Sequence, residues 1–243
     1  MKEIEIRTSK CVNFQFWNND IGQPDHININ WEKAGCSSPV GRRGGRQLLN
    51  LEAPQCFLDR NIIVRQLLHA MGFYPEQGRS DRDEYVEINW WNIQDGQVFN
   101  FEKYDTVDYG VPYDYTSIMH FKCDAFAIDP SQYTVHSKKP EGNDAYAQSE
   151  RKRITESFGL GGLSDGDILQ IRRFYGRTQF LETQNTPRTL KERTRFCPGA
   201  EAIFLEGRSN TLKLQPSFNK FFRQIILTSA ICTGIHFAQT SPV

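Results

Sequence analysis

Apolar and polar residues alternate in two early segments of the chain. Cys11-Val12-Asn13-Phe14-Gln15-Phe16 and His26-Ile27-Asn28-Ile29-Asn30 both keep the two-residue period of a half-buried strand. Gln47-Leu48-Leu49-Asn50-Leu51 reads as a third short strand after the turn-rich Gly41–Gly45 stretch. Ile4 and Ile6 hint at alternation as well. The period then changes. Ile63, Leu67 and Ala70 recur at three- to four-residue spacing, which predicts a helix with one apolar stripe. Asp59 is placed to cap that helix, and Gly72 to end it, because glycine takes the left-handed conformation at little cost. Near residue 170, Ile168, Ile171 and Tyr175 predict a second amphipathic helix. Ser164 and Asp167 resemble a capping box at its start, and Gly176 is its expected stop.

Composition adds a boundary. The chain has 243 residues and no net charge, so nothing points to nucleic acid as a partner. The charge is unevenly spread: residues 1–176 hold 20 Lys and Arg against 25 Asp and Glu, and residues 177–243 hold 9 against 4. Thr178–Arg195 has the polar composition of a linker. The apolar run Ile225–Ala238, at about 14 residues, is too short for a membrane span and reads as a partly buried strand or helix. The reading is therefore a domain over 1–176 and a basic tail over 177–243, linker plus weakly ordered segment.

The chemistry concentrates in Arg65-Gln66-Leu67-Leu68-His69-Ala70-Met71-Gly72-Phe73-Tyr74-Pro75-Glu76. This resembles the zinc-protease motif H-E-x-x-H-x-x-G-x-x-H with three letters changed. Further blocks follow in order: Arg79, Asp81-Arg82-Asp83, Tyr85-Val86, then Ser117-Ile118-Met119-His120-Phe121. Gly35-Cys36, Val40-Gly41-Arg42 and Cys56 precede the motif, and Leu163-Ser164 through Tyr175-Gly176 closes the series. Together they resemble the astacin family of secreted zinc endopeptidases over residues 1–176.

The resemblance implies an α+β, metzincin-like domain of two lobes. A small mixed sheet and the active-site helix form one lobe; an irregular lobe holds the Met-turn at Met119 and the final helix. Family members open with a strand that has no counterpart before Met1-Lys2-Glu3, and they place a helix over Ile4 and Ile6. The first strand, the propeptide and a signal peptide are thus expected to be missing, from a truncated gene model or a lost leader. Extracellular localisation is implied by analogy alone. The resemblance pairs Cys36 with Cys56, closing a loop of about 20 residues worth roughly 3 kcal/mol. It also pairs Cys11 with a cysteine that is Arg177 here, leaving Cys11 without its partner unless Cys197 or Cys123 substitutes.

At the positions of the three zinc ligands stand Arg65, His69 and Pro75, so His69 alone survives. Proline has no donor atom for zinc, and a guanidinium stays protonated. At ~4 Å and an effective dielectric near 20, each unit of like charge costs on the order of 4 kcal/mol, and a divalent ion about doubles that. The general-base position is Gln66, whose amide does not titrate. The Met-turn tyrosine position is Phe121, which lacks the hydroxyl that would support an oxyanion. His120 matches a non-ligand of active members, and His26, His136 and His236 show no ligand spacing. Glu76 matches a residue that binds the mature N-terminus, leaving Arg65 and Arg79 as candidate partners. Trp90 and Trp91 read as core or cleft-lining aromatics, and the Asp81-Arg82-Asp83 cluster as a structural network.

The sequence thus predicts an inactive astacin-like domain that binds an extended peptide or protein. Arg46, Gln47, Leu48, Leu49, Asn50 and Leu51 are the candidate edge strand, with Arg65 as a grip for a ligand carboxylate. No cofactor is expected, with zinc only if the family function is retained. Two alternatives compete: a working zinc metalloendopeptidase, and a decayed or mispredicted product with no stable function.

Overall fold

The computed structural model describes residues 1–18, 22–177 and 201–206. The alternating segments form strands β1 (Val12–Phe16) and β2 (His26–Asn30). They are followed by the two-residue β3 (Cys36–Ser37) and by β4 (Arg46–Leu51). Ile4 and Ile6 lie on helix α1 (Lys2–Arg7), where two residues apart means opposite sides: Ile4 is fully buried and Ile6 is 72% exposed.

A short helix α2 (Gln55–Leu58) leads into α3 (Arg60–Ala70). The Asp59 side chain accepts the Asn61 N–H at 2.8 Å and so starts α3. Its buried face is Val64, Gln66, Leu67, Leu68 and Ala70; Ile63, expected in the stripe, is only half-buried. Gly72 follows with φ +105°, a left-handed conformation that ends the helix and sends the chain on to Glu76–Gly78.

The second half is less regular. A two-stranded ribbon, β5 (Val86–Ile88) against β6 (Val135–Ser137), carries helix α4 (Ala145–Glu156). Its core is Val86, Ile88, Ile93, Phe101, Tyr113, Val135 and Phe158. Helix α5 (Asp165–Arg177) begins with the expected capping box: Ser164 N–H donates to Asp167 Oδ2 at 2.8 Å, and Asp167 N–H to Ser164 Oγ at 2.9 Å. It runs one residue past the expected stop at Gly176.

The main sheet has the order β1-β7-β2-β4-β3, where β7 is Glu201–Glu206. All neighbours are parallel except β3, which pairs antiparallel with Asn50 and Leu51. Two expectations change here. Arg46, Gln47, Leu48, Leu49, Asn50 and Leu51 are not the last strand: β3 covers the far end of β4 and is itself the sheet's edge. Six residues of the segment read as a tail belong to the sheet. The linker Thr178–Arg195, the apolar run Ile225–Ala238 and His236 fall outside the described residues.

Cys36 and Cys56 are disulfide-bonded, with Cα atoms 5.9 Å apart. Cys11, expected to lack its family partner unless Cys197 or Cys123 substitutes, is disulfide-bonded, and Cys123 is a free thiol, so Cys123 is not the substitute. Among the described residues no helix is long and apolar enough to cross a membrane.

Candidate functional site

Residues four apart on a helix share a face; on α3 these are Arg65, which reaches the turn at Ser117–Phe121, and His69. That turn is held from below. Asp167 on α5 accepts Ser117 Oγ at 2.6 Å and Ile118 N–H at 3.0 Å, besides the Ser164 amide. Burial raises the Asp167 pKa, while these donors favour its charged form. Met119 is buried and its carbonyl accepts the Glu76 N–H at 3.2 Å, joining the two halves.

Arg65 spans the site. Its Nη2 donates to the His120 carbonyl at 2.5 Å, and the guanidinium lies 5.8 Å from the Phe121 ring centroid. Phe121 thus provides a π face beside the cation rather than a hydroxyl. Among the described residues no carboxylate is within ion-pair distance of Arg65. Burial lowers its pKa to about 10, against the opposing fields of Asp167 and Asp59, so it remains charged at neutral pH. The backbone is shaped for this contact. Gly159 has φ +65°, and a Cβ there would clash with the His120 carbonyl oxygen and sit 3.2 Å from Arg65 Nη2.

His69 donates from Nδ1 to the Phe73 carbonyl at 2.8 Å. That fixes the neutral tautomer with a lone pair on Nε2. Burial lowers its pKa to about 4, the Phe73 carbonyl opposes the shift, and the charge of Arg65 adds to it. His120 is fully buried and also lowered to about 4 by burial; its Nδ1 bonds the Phe121 carbonyl at 2.7 Å and its Nε2 accepts from Tyr113 Oη at 2.8 Å. With both nitrogens engaged, His120 serves the turn's structure.

Gln66, at the base position, is buried. Pro75 turns the chain into a 3-10 turn, Glu76–Gly78. Of the two candidate partners for Glu76, the molecule uses Arg79: its Nη1 donates to Glu76 Oε1 at 3.1 Å, and the Asp114 N–H donates to the same oxygen at 2.9 Å. Burial raises Glu76 to about 7, opposed by Arg79 and the Asp114 amide. Arg79 also makes a two-pronged pair with Asp81, while Arg82 bonds Asp83 and the Gln77 and Phe101 carbonyls. The Asp81-Arg82-Asp83 cluster is therefore a brace under the turn. A cavity of about 190 Å³ opens beside it, between Phe73, Tyr74, Glu76 and Asp108.

Other expectations shift. His26 stacks on Trp17 with ring centroids 3.8 Å apart, and His136 faces Glu87 at 3.3 Å. Trp91 is 94% exposed and Trp90 45%, so neither belongs to a core; Trp90 covers Arg82 instead. The patterning missed Asp167 as the anchor of the Met-turn. The helix-start signal was its only trace. Gly159 left none.

A structural or catalytic zinc site needs three or four converging donors. The residues present do not fit zinc: His69 Nε2 is one donor, the first ligand position carries a cation tied to a carbonyl, and Pro75 offers nothing. Among the described residues no cluster of three His, Cys, Asp or Glu could hold a metal ion.

The family model described as Astacin, a peptidase family, matches residues 1–176. High choriolytic enzyme 1 of Oryzias latipes is 46% identical over 165 residues, covering 68% of this chain and 55% of that protein. Zinc metalloproteinase nas-14 of Caenorhabditis elegans is 36% identical over 185 residues, covering 74% and 33%. The chain thus spans about half, or less, of the length of these curated relatives. A solved structure of High choriolytic enzyme 1, a hatching-enzyme zinc protease from medaka, superposes with a TM-score of 0.57 at 36% identity, covering 71% of this chain and 80% of that one. A motif series in fixed order, the α3–Met-turn geometry and a family match across 1–176 converge: this chain belongs to the astacin family of peptidases.

Proposed function

We propose that this domain is an astacin-fold binding module without peptidase activity, which takes an extended peptide or protein segment. The observation that carries the reading is the Arg65 guanidinium, half-buried on α3 and anchored to the His120 carbonyl where the family holds its first metal ligand. Gln66 supports it, since an amide takes no proton from water at neutral pH. Phe121 and Pro75 remove a hydroxyl and a ligand. Metal activation and general-base catalysis are each worth several orders of magnitude, so losing both leaves no measurable peptidase.

The exposed side of β3 is the backbone ladder open to a ligand strand, in place of the β4 edge expected from sequence. Donors of Arg65 not used by His120 favour a ligand with a carboxylate. The Cys36–Cys56 bridge suits an oxidising compartment, which supports an extracellular site of action.

The test is zinc content together with hydrolysis of a denatured protein, with and without a chelator. The expected result is no zinc and no cleavage, with zinc regained by Arg65→His, Gln66→Glu, Pro75→His combined. The relatives named as zinc metalloproteinases favour the second reading, a working endopeptidase. Chelator-sensitive cleavage by the natural chain would establish it.

A further inference from the structure

Strand β7 stands inside the sheet although 23 residues separate it from the end of α5. On one side it pairs with the whole of β1, Val12↔Glu201 through Phe16↔Leu205. On the other it meets β2 only at its end, through Ile27↔Leu205 and Asn28↔Glu206. Among the described residues β7 is the only strand partner of β1. Without it β1 has no ladder, and the inner side of β2 is an open edge.

The end of β7 is clasped. Leu205 is buried, and its carbonyl accepts the Trp17 N–H at 2.8 Å. Glu206 Oε2 accepts from Asn28 Nδ2 at 2.7 Å and from Arg46 Nε at 2.7 Å, and lies 3.4 Å from His26 Nε2. A carboxylate among two donors on β2 and β4 fixes the register, which backbone pairing alone leaves free to slip.

We propose that the gap between β1 and β2 is a strand-acceptor site, and that residues 201–206 occupy it as a tethered ligand, replaceable by a free strand of the same pattern. The site recognises an extended segment laid parallel to both neighbours, apolar at its last-but-one position and carboxylate-bearing at its last. This is backbone addition at an open ladder, with side-chain specificity concentrated at one end. The occupant in the natural chain is its own segment, because covalent attachment makes its pairing intramolecular.

The test starts from the full chain carrying Cys11→Ser, so that no bridge at Cys11 holds the pieces, and a protease site inserted within 178–200. After folding and cutting, the two pieces should co-elute at tens of micromolar. A tenfold excess of a peptide spanning 199–208 should release the C-terminal piece, and a scrambled peptide should not. If the pieces separate, the thermal midpoint should fall, and the 199–208 peptide at millimolar concentration should restore it. Separation with an unchanged midpoint, or with a loss that the peptide does not restore, would overturn the proposal. So would co-elution that the peptide leaves intact. An independent measurement uses the uncut natural chain. Glu206→Ala should lower hydrogen-exchange protection about tenfold over Phe14–Phe16 and much less over Leu49–Leu51. An equal change in protection across the two strands would contradict the assignment.

Discussion

At the residue scale, the site is governed by burial acting on charge. His69 and His120 are both lowered to about 4 from an ordinary 6.5, mainly by burial, so the folded state holds them neutral. Stability from these two is fully present above pH 6.5 and is lost as pH falls through 6.5 toward 4, since the unfolded chain binds the protons first. Each imidazole is worth roughly 3 kcal/mol over that window. Glu76, raised to about 7 by burial, works in the opposite direction: its protonation on acidification favours the folded state. Unfolding midpoints should therefore drop between pH 6.5 and 4. The drop should be steeper in Glu76→Gln, which removes the compensating group; an identical pH slope in both proteins would refute this assignment. Gly159 gives a second prediction. Its positive φ and its close approach to the His120 carbonyl make Gly159→Ala cost about 2 kcal/mol or more by denaturant unfolding. Nothing in the sequence marks that glycine, because the contact joins segments far apart in the chain.

At the element scale, helix boundaries come from specific side chains. Asp59 caps α3, so Asp59→Ala should cost about 1 kcal/mol of stability, read from denaturant midpoints. These caps, and strands β1 and β2, were legible in the sequence because local hydrogen bonding and a two-residue period act over a few positions. Helix α4 was not. AYAQSERKRITE buries only Ala147 and Thr155, so it carries almost no apolar stripe to read. Two-residue β3 is too short to show a period, which is why β4 was read as the edge. The short apolar run of β7 suits strand or helix equally by pattern, and only its partners decide. Ile4 and Ile6 show the converse: apparent alternation on a helix whose two sides differ in burial.

For the molecule as a whole, the site lies where two differently built halves meet. The sheet and α3 supply Arg65 and His69; the irregular half supplies the Met-turn. Tyr175 Oη on α5 donates to the Met71 carbonyl at 2.9 Å, and Asp167 on the same helix holds the turn. The helix thus sets the spacing between the halves. The Cys36–Cys56 bridge ties β3 to α2 and closes the segment that contains β4. Replacing both cysteines by serine should cost about 3 kcal/mol, measured by unfolding under oxidising conditions. The family scaffold was readable because its motifs fall in fixed order, while the placement of β7 depends on long-range pairing. A cation stands where a metal ligand belongs, and elemental analysis of purified natural chain beside the Arg65→His, Gln66→Glu, Pro75→His variant tests that most directly. The expected result is zinc near zero in the natural chain and near one per molecule in the variant. Stoichiometric zinc in the natural chain, lost on His69→Ala, would contradict it.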